Sequence, residues 1–418
     1  MKDALFLAGF LALPLIGLIA WRIEAVRRMP LDGRIAVAGA AGAVITTVVL
    51  AAMSFAGISW SRARLFAILG AIAIAGVIAI GGRTSRPPGG RDVRPPNWSA
   101  LALIAILALL TCYGILTARE TAGDLLFFWG PKGIHFYQAH EIDVPFLANK
   151  AHPNPDYPPL LPLLYVWSQT LARSFSWWAA LLTTILFFLG SVAILRASSR
   201  DDLGAALLAG VLAWTFAVTY AAGGADAPLV FFVALTLSAL TFIRSDFVAA
   251  IGLAGAVLTK IEGTTFLIAV VLAIVLVDRS IKRALLVAAP ALAVLAGWVA
   301  FLAKIGIVYG FGRAKEENTR IYFELIPKTL VEMAKAGSYE ILGLPFLIAI
   351  ALIILGRTRR AALLPLTVAV LTIGAAVFFY LHSPDPTWWI AASAPRVLLT
   401  PLTALIIASV AAWRPQSI

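Results

Sequence analysis

The chain has 418 residues, of which 61% are hydrophobic and 13% charged, and its mean hydropathy is +0.93. Soluble domains carry about half apolar and about a quarter charged residues, so a soluble globular protein is excluded and an integral membrane protein is implied. The net charge of +12 does not point to nucleic acid, because the basic residues sit in short clusters between apolar runs, where they set orientation.

In chain order, the first apolar run, 4–21, is followed by Trp21, Arg22, Arg27 and Arg28 with no small-residue cleavage site. It reads as a retained anchor rather than a signal peptide. Further runs at 35–57, 64–81, 99–118, 177–195, 203–222, 227–243, 284–303, 341–355, 361–381 and 397–412 are of the right order for the roughly 17 to 25 residues that a bilayer-crossing helix needs. Between 247 and 277 an apolar stretch is interrupted by Lys260, Glu262 and Gly263, which predicts two short helices meeting at a polar break. The expected fold is therefore an all-α polytopic membrane protein of about 13 transmembrane helices. The single cysteine, Cys112, lies in an apolar run and can form no internal disulfide.

The segment 158–173 decides the sidedness of all that follows. It is apolar, but Pro158, Pro159 and Pro162 crowd its start and the remainder is short for a crossing. If it does not cross, the loops 22–34, 82–98, 196–202, 244–246, 278–283 and 356–360 share one side with the C-terminal tail, with net charges of +11 there and +1 opposite. The positive-inside rule favours that arrangement: N-terminus outside, C-terminus cytoplasmic, and 158–173 along the membrane surface or dipping into it. Five polar elements then face the outer side together, namely 119–176, the Asp226 turn, the Lys260–Glu262 break, 304–340 and 382–396.

The titratable residues concentrate in 119–165, which holds Asp124, Lys132, His135, His140, Glu141, Asp143, Lys150, His152 and Asp156 among aromatic residues. Asp124, just before Phe127, Phe128 and Trp129, is either an acid in an interfacial aromatic belt or a base for an acceptor hydroxyl. Lys132 reads as a snorkelling lysine or a phosphate partner. His135, His140 and His152 are too widely spaced for a recognised metal pattern. Asp226, flanked by Gly223, Gly224 and Pro228, has turn chemistry to explain it. Lys260 and Glu262 interrupt an apolar run and must pair or line a cavity. Arg396 begins the last span on the side where the orientation rule disfavours it, which suits contact with a lipid phosphate of the bilayer or of a substrate. The charged run Tyr309 to Arg320 reads as a solvated face. No P-loop, GxSxG, HExxH or CxxC motif occurs, and the loops on the basic side are too short for a nucleotide-binding domain.

The stretches GDLLFFWGPKG (123–133), DYPPLLPLLYVW (156–167), GGADAPLVFF (223–232) and LTKIEG (258–263) together resemble the GT-C glycosyltransferases. They are most similar to the bacterial branch related to protein O-mannosyltransferases and aminoarabinose transferases. The resemblance runs from about 119 to 265, in the family's order. It implies a polytopic enzyme with a large first catalytic loop containing juxtamembrane helices. Such enzymes move a sugar from a polyprenyl-phosphate donor to a lipid, glycan or protein acceptor at the outer face of a bacterial inner membrane. In residue terms it implies Asp124 as catalytic base, and Lys260, Arg396 and Lys132 as donor-phosphate contacts. Asp226, Glu262, Trp129, His135, Asp156 and Tyr157 would orient substrates. No cofactor is required by the pattern, although a divalent ion such as Mg or Mn on those acids stays open. Tyr157 stands where related transferases often carry Lys, and HSPDPTWWIAASAPRVLL (382–399) is similar to a late-loop pattern that brings in Arg396. On this reading the chain divides into three N-terminal helices with a linker (1–98), a catalytic module (99–303) and a C-terminal part (304–418). The competing reading is a transporter or flippase of lipid-linked intermediates, with Lys260 and Glu262 on a permeation path. A third is a non-catalytic scaffold.

Overall fold

The structure is a computed structural model of the whole chain and describes residues 1–81, 97–117, 122–149, 154–218, 222–310, 320–340, 343–356 and 359–413. It is 84% helix, and no strand occurs among the described residues. Nine of the described helices are long and apolar enough to cross a bilayer, and the bent pair Pro386–Val397 and Leu399–Trp413 makes a tenth. The remaining expected spans are shorter. Asp246–Thr259 has 14 residues and Gly343–Leu355 has 13, while Asp202–Val218 has 17 and runs up to residues that are not described.

The central element is Asp226–Ile243. Of its most apolar window 83% is buried inside the protein, against 17% for Arg62–Ile80 and 22% for Trp98–Thr117, which form the lipid-facing rim. Around it pack Trp177–Ser199, Asp246–Thr259 and Leu399–Trp413. Asp246–Thr259 rises about 21 Å at 1.5 Å per residue, less than the ~30 Å apolar core of a bilayer. The turn at Lys260 is thus reached before such a core has been crossed, and the polar break is recessed among helices.

The proline-led segment forms the helix Leu160–Ala172, with Pro159 as its N-cap and Pro162 in the first turn, where a missing N–H costs little. Its 13 residues cover about 20 Å, too short to cross. The sequence placed it along the membrane surface or dipping into it. The structure encloses it, with every residue but Leu171 buried. It packs between Lys2–Leu11, Gly130–Ala139 and Leu31–Phe55. Trp167 Nε1 donates to the Gly9 carbonyl at 2.9 Å, and Gln169 Nε2 to the Gly133 carbonyl at 2.8 Å. The physical reason is the N-terminal helices, which cover a face that bilayer or solvent would otherwise meet.

The two ends of the bundle are chemically distinct. At one end Arg196 pairs with Asp32 (2.6 Å) and Asp202 (3.7 Å), the Asn97 N–H donates to Asp202 (2.9 Å), and Arg283 pairs with Asp246 (2.7 Å) and with Asp278. At the other end Ser176 Oγ donates to Asp3 at 2.5 Å, and Asp124, Asp226, Lys260 and Arg396 meet. Of the loops grouped together by the charge count, the described residues of 22–34, 196–202, 244–246 and 278–283, with Asn97, therefore share an end. The stretch 304–340, read as a loop, contains the helix Ile326–Glu340, which packs on Pro386–Val397.

Gly263 allows the Lys260 hairpin to close. A Cβ there would lie 1.9 Å from the Ala256 carbonyl oxygen, so the two helices touch backbone to backbone. Gly263→Val forces them apart and should lower stability by about 1–3 kcal/mol, read as a fall in thermal midpoint of the detergent-solubilised protein. An unchanged midpoint would show that the contact is not tight.

Candidate functional site: a buried chain of alternating charges

Each charged residue of the site leaves the chain at an irregularity of the backbone. Asp124 is the N-cap of a π-helical turn, Leu125–Trp129, that runs into Gly130–Ala139. Such turns carry an extra residue and re-aim side chains. Asp226 opens the central helix, in the first turn, where the exposed N–H groups favour an acid. The turn before it passes through Gly223 at φ +69°, a conformation suited to glycine. Tyr165 Oη donates to the Gly223 carbonyl (3.0 Å), and the Gly223 N–H donates to Thr184 Oγ1 (2.7 Å). Lys260 is a single extended residue (φ −157°, ψ 159°) between two helices. Arg396 ends Pro386–Val397, two residues before a 42° bend at Leu398. The bend follows from Pro401, which has no N–H to offer the Val397 carbonyl.

These four elements converge. Arg396 Nε and Nη2 contact Asp226 Oδ2 at 2.7 and 2.6 Å, while Nη1 lies 3.3 Å from Asp124 Oδ1 and Nη2 bonds Asp124 Oδ2. Lys260 Nζ donates to Asp226 Oδ1 at 2.9 Å and reaches Glu262 Oε1 at 2.8 Å. The order is Asp124, Arg396, Asp226, Lys260, Glu262, with signs alternating. Asp226 and Lys260 are 2% and 5% exposed. Glu262 Oε2 is buried with no hydrogen-bond partner among the described residues.

The remaining candidates divide into two groups. Tyr157 is half-buried on the edge of the network. Burial, and then the Glu262 carboxylate, push its hydroxyl well above the ordinary phenol range, so it stays protonated. Its ring lies 5.8 Å from that of Trp129, which is fully buried with Nε1 unbonded among the described residues. Lys132 is no snorkelling lysine. It is 2% exposed, donates to the Asn154 carbonyl at 2.6 Å, and lies 5.6 Å from the Trp129 ring and 6.0 Å from that of Tyr157. Asp156 clamps the loop, accepting from the Gly310 N–H (2.8 Å) through its carboxylate and from Trp298 Nε1 (3.0 Å) through its carbonyl.

The structure does not join His135 to this network. His135 stacks on Phe146 (3.9 Å between ring centres), with Nδ1 3.4 Å from Asp143, and so braces the short helix Val144–Ala148. His140 ends a helix in the left-handed region, its carbonyl accepting from the Trp60 N–H. Lys150, His152 and the charged residues 313–317 lie outside the described residues.

Sequence reasoning missed two hydroxyl pairs, Tyr380 with Ser393 (2.8 Å) and Tyr309 with Thr264 (2.8 Å). Burial holds the Tyr309 phenol up to about 12. Ser393 is three residues before Arg396, one helical turn away, and that spacing was the available signal. The divalent-ion alternative finds no ligand set. Arg396 and Lys260 occupy the space between the acids, and no three metal-ligating side chains converge among the described residues. Behind the Leu125–Trp129 turn lies a separate cavity of about 480 Å³, lined by Asp3, Leu126, Phe175 and Trp178 among others.

No protein-family model matches the chain, and no curated protein or solved structure shows significant similarity to it.

Removing one member of a buried pair strands its partner, at a cost of about 3–5 kcal/mol. Asp226→Ala leaves both Lys260 and Arg396 short of an acid and should destabilise the solubilised protein by that order. Asp143→Ala, beside the peripheral His135, should cost far less. Equal losses in thermal unfolding would mean that the network is not the stabilising centre.

Proposed function

We propose that the chain is a membrane glycosyltransferase of the GT-C kind, taking a sugar from a polyprenyl-phosphate carrier at the Arg-poor end of the bundle. The observation that carries this reading is the ion network. The acids and bases of four separate stretches, Asp124, Asp226, Lys260 and Arg396, form one recessed cluster beside helices that a lipid carrier could enter between. An incidental set of interfacial charges gives no reason for that meeting.

In the proposed reaction an acceptor hydroxyl attacks the anomeric carbon of the donor sugar. The new O–C1 bond forms as the C1–O bond to phosphate breaks, and the phosphate leaves with the electron pair as polyprenyl phosphate. The acceptor proton passes to the Asp124 carboxylate. Arg396 and Lys260 stabilise charge that grows on the departing phosphate, and the neutral Tyr157 hydroxyl donates to the sugar or phosphate. Displacement from the face opposite the phosphate inverts the anomeric centre. A permeation path is a poorer account of the same residues. Below Asp226 the central helix reads APLVFFVALTLSALTFI with no charged residue, so the charged chain stops at one end.

Purified protein given a polyprenyl-phosphate sugar and an acceptor should release the carrier. Asp124→Asn should lower turnover by about 10²–10⁴-fold, the range for loss of a general base, and Lys260→Ala should raise the donor KM more than the acceptor KM. Unchanged turnover in the Asn variant removes Asp124 from the mechanism.

Sidedness is tested at exposed positions, since 226 and 260 are buried. In a Cys112→Ser background, a cysteine at Lys328 (48% exposed) should react with an impermeant thiol reagent at the outer face. One at Arg28 (56% exposed) should react only after permeabilisation. The reverse pattern places the network in the cytoplasm and rules out an outer-face enzyme.

A further inference from the structure

We propose that the Asp124–Arg396 ion pair is a latch opened by the donor phosphate, so that the donor must bind before Asp124 can act on the acceptor. This exchange presupposes that the site takes a phosphate-bearing lipid.

The resting geometry does not allow both residues their roles. Nε, Nη1 and Nη2 of Arg396 are all committed to two carboxylates, and both Asp124 oxygens lie on that one guanidinium. While the pair holds, one of the five guanidinium N–H groups is left, so Arg396 offers a phosphate no two-donor edge, and both Asp124 oxygens are occupied. One of the two acids must yield when an anion arrives, and the surroundings decide which. Asp226 is 2% exposed and also bonded to Lys260, whereas the Asp124 side chain is 17% exposed and bonded to Arg396 alone among the described residues. Asp124 also sits at the start of a π-helical turn rather than within a regular helix. It is the partner held less firmly.

Charge balance gives the exchange its direction. The five network groups comprise two cations and three anions, and a sugar phosphodiester adds another anion to a buried site. With both phosphate and Asp124 ionised there, the excess negative charge is poorly solvated. Phosphate takes the place of Asp124 on Arg396. Asp124 is then a carboxylate with no guanidinium on its oxygens, and the acceptor hydroxyl gives up its proton to it during transfer. The phosphate thus frees the base as it binds. Without donor the acceptor meets a neutralised carboxylate, and after carrier release the pair re-forms.

The exchange makes a prediction of unusual sign. If Asp124 competes with phosphate for Arg396, removing its charge should improve phosphate binding while abolishing transfer. Binding of a polyprenyl monophosphate to the full-length protein in detergent should tighten on the order of ten-fold in Asp124→Asn and weaken on that order in Arg396→Gln. A purely structural pair would weaken binding in both variants. Parallel titrations with phosphatidic acid and inorganic phosphate identify the source of the phosphate. Tightening confined to the polyprenyl lipid supports both exchange and donor. Tightening only with phosphatidic acid keeps the exchange and overturns the donor. Wild-type binding of the polyprenyl lipid with no tightening in the Asn variant overturns the exchange and keeps the donor. No binding by any of the three overturns both.

A readout on the unmodified protein covers the case in which the Asn variant misfolds. A hydrophobic carbodiimide, which reacts with carboxyl groups that are not held in an ion pair, should label Asp124 several-fold faster when polyprenyl monophosphate is present, as read by peptide mass spectrometry. Labelling that is unchanged or slower sinks the latch.

Discussion

Arg396 shared between Asp124 and Asp226 is the interaction on which the rest of the structure depends. Charges taken out of water cost several kcal/mol each unless a partner of opposite sign stands at hydrogen-bond distance. Here the compensation is distributed over a row of five groups, and Asp226, the most deeply buried acid, is held from two sides. That row ties together segments 272 residues apart in sequence. Each helix that brings a member must end at a set depth, so the network fixes the lengths and register of its neighbours as much as it depends on them.

Irregular backbone inside a bilayer is tolerated only where protein encloses it, and the site is built from such pieces. The extended Lys260, the Gly223 turn and the bend after Arg396 lie among buried residues, and the π-helical turn after Asp124 turns Leu125 and Trp129 inward and leaves Phe127 exposed. The enclosed Leu160–Ala172 helix serves the same end. It supplies Tyr165 to the Gly223 turn, and its prolines start it beside Tyr157. The first helices of the chain, which lie outside the stretches that carry the family resemblance, pack on its flank and so have a structural role in shaping the site.

The opposite end solves a different problem, that of turning between helices cheaply. Arg200, Arg244 and Arg279 each end a helix in the left-handed region, and the next residue, Asp201, Ser245 or Ser280, caps the following helix. An αL residue satisfies the last carbonyls and an oxygen side chain satisfies the first N–H groups. The same turns carry the basic charge that the orientation rule reads. Turn chemistry and loop charge are thus carried by the same few residues.

The sequence by itself determined the all-helical membrane class, the boundaries of the long spans to within a few residues, and the grouping of polar loops at one end. Apolar run length and loop charge are local quantities, and local quantities survive in a sequence. It also marked Asp124, Asp226, Lys260 and Arg396 individually, because a charge in or beside an apolar run is conspicuous. Only the tertiary structure decided that Arg396 lies between two acids, and that Lys260 is shared by Asp226 and Glu262. It alone set His135 apart from the network, buried Lys132, and enclosed the proline-led helix among the N-terminal helices. Those outcomes depend on which helix faces which, and that is fixed by packing between segments far apart in the chain, where hydropathy and spacing carry no information.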